Sequence, residues 1–185
     1  FAFLIAAVAS FSASAATVYQ YVGTNYTTAS SPYTTAQRVT GQFTTASPLA
    51  PNLPQASVLA QVTSYSFSDG VNSYASSDPN ARVTLFLVAT DAAGAISGWN
   101  LEYFVWESGT SPHGAGDLVS HMGTATAGDL VLDGQTCSAV GTSPEGIGDA
   151  CTLATGGSAA SNLSSMGMWS IATLVAPPAV AVPAL

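Results

Sequence analysis

Positive charge is almost missing from this chain: it has no lysine, and Arg38 and Arg82 are its only formal cations against ten acidic residues, a net charge of −8. A surface that tracks phosphates needs several clustered cations. Nucleic acids and anionic membrane surfaces are therefore excluded as main partners. Charge of either sign is scarce, at 6% of residues, where soluble domains usually carry about 25%. Cysteine is also rare, with two residues. The 48% hydrophobic content is nonetheless too high for disorder driven by charge. With so few ions, the wetted surface must be built from hydroxyls, supplied by 24 serines and 20 threonines among 185 residues. The length suits a single domain.

Catalytic patterns are equally thin. No G-x-S-x-G elbow occurs, and with so many serines a Ser-His-Asp set carries no information. Glu102 and Glu107, five residues apart, fall on opposite faces of a regular strand and do not face one glycosidic bond. The expectation is a protein that is not an enzyme.

Residues 1–11 (FAFLIAAVASF) form an apolar run that ends in Ser12-Ala13-Ser14-Ala15-Ala16. This is the form of a secretory signal's hydrophobic core and small-residue cleavage site, without its basic leader. At 11 residues the run is too short for the roughly 20 that span a bilayer. The expected division is a signal peptide over 1–16, truncated at its front, a β-sandwich domain over 17–175 and a Pro/Ala-rich tail over 176–185. A buried N-terminal helix is the competing reading of the first segment, disfavoured by the Ser-Ala alternation before the strand-like TVYQYV. Export agrees with the cysteines. Cys137 and Cys151 flank a Gly-rich stretch, and an even count in an oxidising compartment favours a bridge. A disulfide there stabilises by about 3 kcal/mol through chain entropy. A metal held by the two thiolates lacks the C-x-x-C spacing that would support it.

Short runs rich in Thr, Tyr, Val and Phe, bounded by Pro, Gly, Asn or Ser, predict strands over 17–22, 37–45 and 62–68. Residues 82–90 and 95–106 flank Asp91-Ala92-Ala93-Gly94 and predict a hairpin. With Thr90 opposite Ala95, Phe86 faces Trp99, and Phe86, Val88, Trp99, Leu101 and Tyr103 share the core face. The other face carries Asn100 and Glu102 but also Phe104 and Trp106, which implies that its far end is covered too. Asp69-Gly70 predicts a second hairpin. Weaker strands are read over 118–122, 130–132 and 167–175, a short helix over 56–61, and a long loop over 142–165 tethered at Cys151. Together these imply an all-β protein, an antiparallel β-sandwich or jelly-roll-like fold of about 7–9 strands with a Gly/Ser-rich, disulfide-tethered loop.

Several segments are recognisable: Pro32-Tyr33-Thr34-Thr35, Arg38-Val39-Thr40-Gly41-Gln42-Phe43, Ser64-Tyr65-Ser66-Phe67-Ser68-Asp69-Gly70, and Thr90-Asp91-Ala92-Ala93-Gly94 followed by Trp99. With the leading signal, they resemble a group of secreted bacterial proteins carrying a PEP-CTERM-type sorting signal, VPLPA-like variants included, that is read by an exosortase. The tail Val175-Ala176-Pro177-Pro178-Ala179-Val180-Ala181-Val182-Pro183-Ala184-Leu185 resembles the lead-in to that signal but lacks Pro-Glu-Pro. An ordinary Pro-rich extension is the other reading of it. The resemblance implies export by a Gram-negative bacterium, contact with sorting machinery through the tail, and release to or retention at the cell surface or its polysaccharide matrix. It implies no activity.

Three candidate sites follow from residue type and spacing. Tyr103, Trp106 and Glu107 end the hairpin and form a candidate sugar-docking platform of aromatic faces with a carboxylate. His113, Asp117 and His121 are a candidate metal set if loop and strand converge. Asp69, Asp78, Asp91, Asp129, Asp133 and Asp149 sit mostly in turns. There they close the local backbone, and two such loops can hold calcium, although EF-hand and RTX spacings are absent. The expected role is a non-enzymatic cell-surface or extracellular-matrix protein, with self-association through charge-poor edge strands. A carbohydrate-binding module acting on exopolysaccharide is the alternative.

Overall fold

The computed structural model describes residues 16–173 of the chain. The expected signal peptide, Ala16 apart, and the expected Pro/Ala-rich tail lie outside the described residues. The strands are β1 (Thr17–Val22), β2 (Thr28–Ala29), β3 (Thr40–Thr45), β4 (Ala56–Ser57), β5 (Val62–Ser68), β6 (Ser73–Ala75), β7 (Ala81–Thr90), β8 (Ile96–Trp106), β9 (Leu118–Ala125), β10 (Gly128–Gly141), β11 (Ala150–Thr155), β12 (Ser158–Asn162) and β13 (Met168–Thr173). One sheet runs β13-β1-β3-β5-β6, the other β2-β12-β10-β9-β8-β7-β4, with β11 also paired to β10. All pairings are antiparallel. The fold is therefore an antiparallel β-sandwich, as expected, but with thirteen strands among the described residues where about 7–9 were expected, because short pieces such as β2, β4 and β6 add to the longer strands. The short helix expected over 56–61 is instead the two-residue β4 followed by one 3-10 turn, Leu59–Gln61.

Alternation builds the interior. Along β8 the inward side chains Trp99, Leu101 and Tyr103 are buried, and they meet Tyr19, Tyr21, Phe43 and Phe67 from the facing sheet and Phe86 from neighbouring β7. Phe43 packs edge-on against Phe86 with ring centroids 5.1 Å apart, and Phe67 stacks on Tyr103 at 5.0 Å. Each such side chain stabilises by about 1.5–3 kcal/mol on burial. The β7–β8 hairpin buries the five residues expected, but its register differs. Val88 pairs with Trp99 and Phe86 with Leu101, because Thr90 pairs with Ile96 and a bulge lies between Ala89 and Thr90; a second bulge follows between Val83 and Leu85. The extra residues are Ser97 on β8 and Thr84 on β7.

One end is closed by the second expected hairpin. The buried Asp69 accepts hydrogen bonds from the hydroxyls of Tyr33 (2.9 Å) and Tyr74 (2.8 Å) and from the backbone N–H groups of Val71 (2.8 Å) and Asn72 (2.6 Å). Tyr26 donates to its carbonyl at 2.7 Å. A carboxylate with this many donors is fully satisfied and ties the 23–39 connection to the β5–β6 turn.

Of the long loop expected over 142–165, residues 150–155 and 158–162 are strand, as β11 and β12. β10 pairs with β12 through Asp129 to Asp133 and with β11 through Thr136 to Gly141. β11 and β12 thus form one broken strand beside it. The break is Gly156-Gly157, both at positive φ, where a Cβ on Gly157 would lie 2.5 Å from the Asp133 carbonyl. Only glycine accommodates that approach.

Candidate functional site

Past its bulge between Leu132 and Gln135, β10 turns over the outer face of its own sheet. Residues 142–149 then lead back into β11 and form a strap across that face. A small second core lies beneath, of Phe104, Trp106, Val119, Cys137 and Ala150. Phe104 and Trp106 are the side chains whose position implied a cover. The disulfide joins Cys137 to Cys151 with Cα atoms 5.8 Å apart and pins the strap at its base.

Polar contacts hold the far side. Glu145 accepts hydrogen bonds from the Phe86 N–H at 2.9 Å and the Ser57 hydroxyl at 2.7 Å, so the strap reaches β7 and β4. Asp149 is the second anchor. Its carboxylate accepts from Arg82 Nη2 at 2.8 Å and from the His113 backbone N–H at 2.7 Å, and it pairs with His113 Nδ1 at 2.8 Å. Its carbonyl accepts from Trp106 Nε1 at 3.0 Å. Burial alone would raise the Asp149 carboxyl, but the bonds from His113 and Arg82 outweigh it and hold the group down at about 2. The residue adopts φ 57°, a left-handed backbone that Asp tolerates better than most.

Between strap and sheet lies a groove of about 670 Å³, within the size range of small-ligand sites. Its floor is Phe104 from β8 and Val119 and Leu132 from β9 and β10, with Glu102, His121 and Thr84 among the polar lining and Pro144 and Leu153 in the roof. Thr84 is the bulged residue of β7, and bulges commonly re-aim a side chain in this way. Its Oγ1 is shielded from water and has no hydrogen-bond partner among the described residues. Burial pushes the His121 imidazole below its usual range, against the opposing pull of the Glu102 carboxylate. The two described ion pairs both fall on Asp149, so Glu102 has no cationic partner among the described residues.

The residues singled out in the sequence are distributed differently. Tyr103 and Trp106 are 0% and 2% exposed, on opposite faces of β8, so they offer no open platform for a sugar ring. The physical reason is that both faces of this strand are covered, one by the second sheet and one by the strap. Exposed Glu107 accepts a hydrogen bond from the buried Ser120 hydroxyl at the edge of β9. His113, Asp117 and His121 are not brought together. The His113 ring stacks on Trp106 at 4.3 Å and binds Asp149, while Asp117 accepts from the Gly114 N–H at 2.8 Å and His121 lines the groove. No group of three or more His, Cys, Asp or Glu side chains placed to hold a metal ion occurs among the described residues.

Of the aspartates proposed for calcium, Asp91 and Asp78 are engaged locally, whereas Asp133 accepts from the distant Asn72 amide at 2.8 Å. Asp91 accepts from the Ala93 and Ala95 N–H groups at 2.8 and 3.0 Å, and Asp78 from the Asn80 N–H at 2.8 Å. Asp129 departs from the turn pattern. It is a buried strand residue that accepts from the Tyr21 hydroxyl at 2.7 Å, and its other oxygen has no partner among the described residues.

Sequence reasoning missed Thr84, Glu102 and the strap as parts of a site. One signal was available, the apolar Phe104 and Trp106 on the same face as Glu102. The arrangement defines a class of architecture, a two-sheet antiparallel sandwich with a disulfide-pinned strap over a groove on its larger sheet. Compared with protein-family models, curated proteins and solved structures, the chain matches none.

Proposed function

We propose that this chain is a non-enzymatic domain exported by a Gram-negative bacterium to its surface or extracellular matrix. The observation that carries the reading is the Cys137–Cys151 disulfide. Such a bridge persists in oxidising compartments and is rare in the cytosol, and here it holds down a strap that has little apolar contact of its own. A surface wetted by hydroxyls, with 6% charged residues, supports the same address. Edge strand β13, with Met168 and Ile171 exposed, offers backbone groups for self-association.

Mass spectrometry of the protein recovered from its native host tests the reading. The expected product starts near Thr17, carries the bridge and is found outside the inner membrane. A cytosolic product that retains Phe1 and two free thiols would overturn it.

A second reading, a carbohydrate-binding module acting on exopolysaccharide, is favoured by the groove alone. Its concave form and its hydroxyl, amide and carboxylate groups suit a polyol. The absence of an open aromatic face at Tyr103 and Trp106 weighs against it.

A further inference from the structure

The groove presents hydrogen-bond acceptors and no cation. Of the chain's two arginines, Arg82 is engaged by Asp149, and exposed Arg38 leads into β3 of the other sheet. Glu102 is therefore a partly buried carboxylate with no counter-ion supplied by the described residues. Beside it is the imidazole of His121, whose charged form burial disfavours. A carboxylate, with two acceptor oxygens, and an unprotonated ring nitrogen match the N–H donors of an alkylammonium. The apolar remainder of the lining matches a compact hydrocarbon body. A pyranose fits less well, because Phe104 is 2% exposed and has no free face for stacking. The net charge of −8 draws cations toward the molecule.

We propose that the groove beneath the strap binds a small organic cation, an ammonium group on a compact apolar body, with Glu102 as counter-ion and His121 as a further acceptor. This goes beyond the export reading, and each can fail without the other.

The test is an NMR titration of the ¹⁵N-labelled, disulfide-intact full chain with three probes. These are 2-phenylethylammonium, its neutral counterpart 2-phenylethanol, and methyl glucoside as a polyol. Saturable shifts are expected for the ammonium, confined to amides around Thr84, Phe104, His121 and Thr152, with the alcohol at least roughly tenfold weaker. Glu102→Gln, which removes the charge and keeps the shape, is expected to weaken ammonium binding by roughly tenfold while leaving the melting temperature unchanged or raised. Equal binding of ammonium and alcohol, preference for the glucoside, unchanged affinity in Glu102→Gln, or no saturable shift with any probe each overturns the proposal.

Discussion

Between the sheets, nineteen buried residues pack into one cluster; beneath the strap, five do. At about 1.5–3 kcal/mol for a fully buried large apolar side chain, the first cluster can pay for the ordering of most of the domain. The second cannot hold a long segment against its backbone entropy, which is about 1–2 kcal/mol per residue. The strap is accordingly fixed by other means: a covalent bridge, the Asp149 ion pairs and the Glu145 bonds to β7 and β4. Apolar burial thus carries the sandwich, and crosslinks and charge carry the site.

Changing one residue in each region should separate them. Phe86→Ala, at 0% exposure between Phe43 and Tyr103, is expected to cost about 3–5 kcal/mol, lowering the denaturant midpoint of the whole domain. Replacing both Cys137 and Cys151 by Ser is expected to cost about 3 kcal/mol. The aromatic near-UV signal of the inter-sheet core should survive, while protease gains access to residues 142–149. Full loss of the core signal would show that the two regions are one cooperative unit.

Acidity acts in opposite directions on the two regions. The Asp149 carboxyl is depressed from 3.8 to about 2 in the folded protein, so its contribution is complete above the ordinary value and is lost as pH falls from about 4 to about 2. Discounted for solvent screening, that contribution is roughly 1 kcal/mol. It should be seen as strap release in acid and be missing in Asp149→Asn. Asp129, at the inter-sheet core, is raised instead, by burial against the opposing bond from Tyr21. A raised carboxyl favours the folded state below its unfolded value and loses that advantage as pH rises. Asp129→Asn is therefore expected to stabilise at pH 7, by up to roughly 1 kcal/mol, and to give no gain below pH 4. Chemical denaturation at several pH values checks both signs.

The comparison also explains what could be read from the chain. β1 and β5 have the expected bounds because TVYQYV and VTSYSFS carry bulky β-formers between clear breakers. β11 and β12, ACTLAT and SAASN, are made mostly of small residues whose pattern resembles a loop, and their order comes from pairing with β10. The expected 130–132 strand is one piece of β10, whose bulge interrupts its alternation. The disulfide was legible from count and context. The sugar platform at Tyr103 and Trp106 was misplaced because residue type does not reveal exposure, and the cover over Trp106 comes from residues more than thirty positions later. Glu102 stood out in the sequence only as half of an excluded pair with Glu107, because its groove exists only once the strap folds back.

Hydrogen exchange on the oxidised and reduced protein tests this division most directly. The account predicts that reduction of Cys137–Cys151 speeds exchange across residues 138–155 and leaves β1, β3, β7 and β8 protected as before. Unchanged protection of the strap after reduction, or equal loss from both sheets, would contradict it.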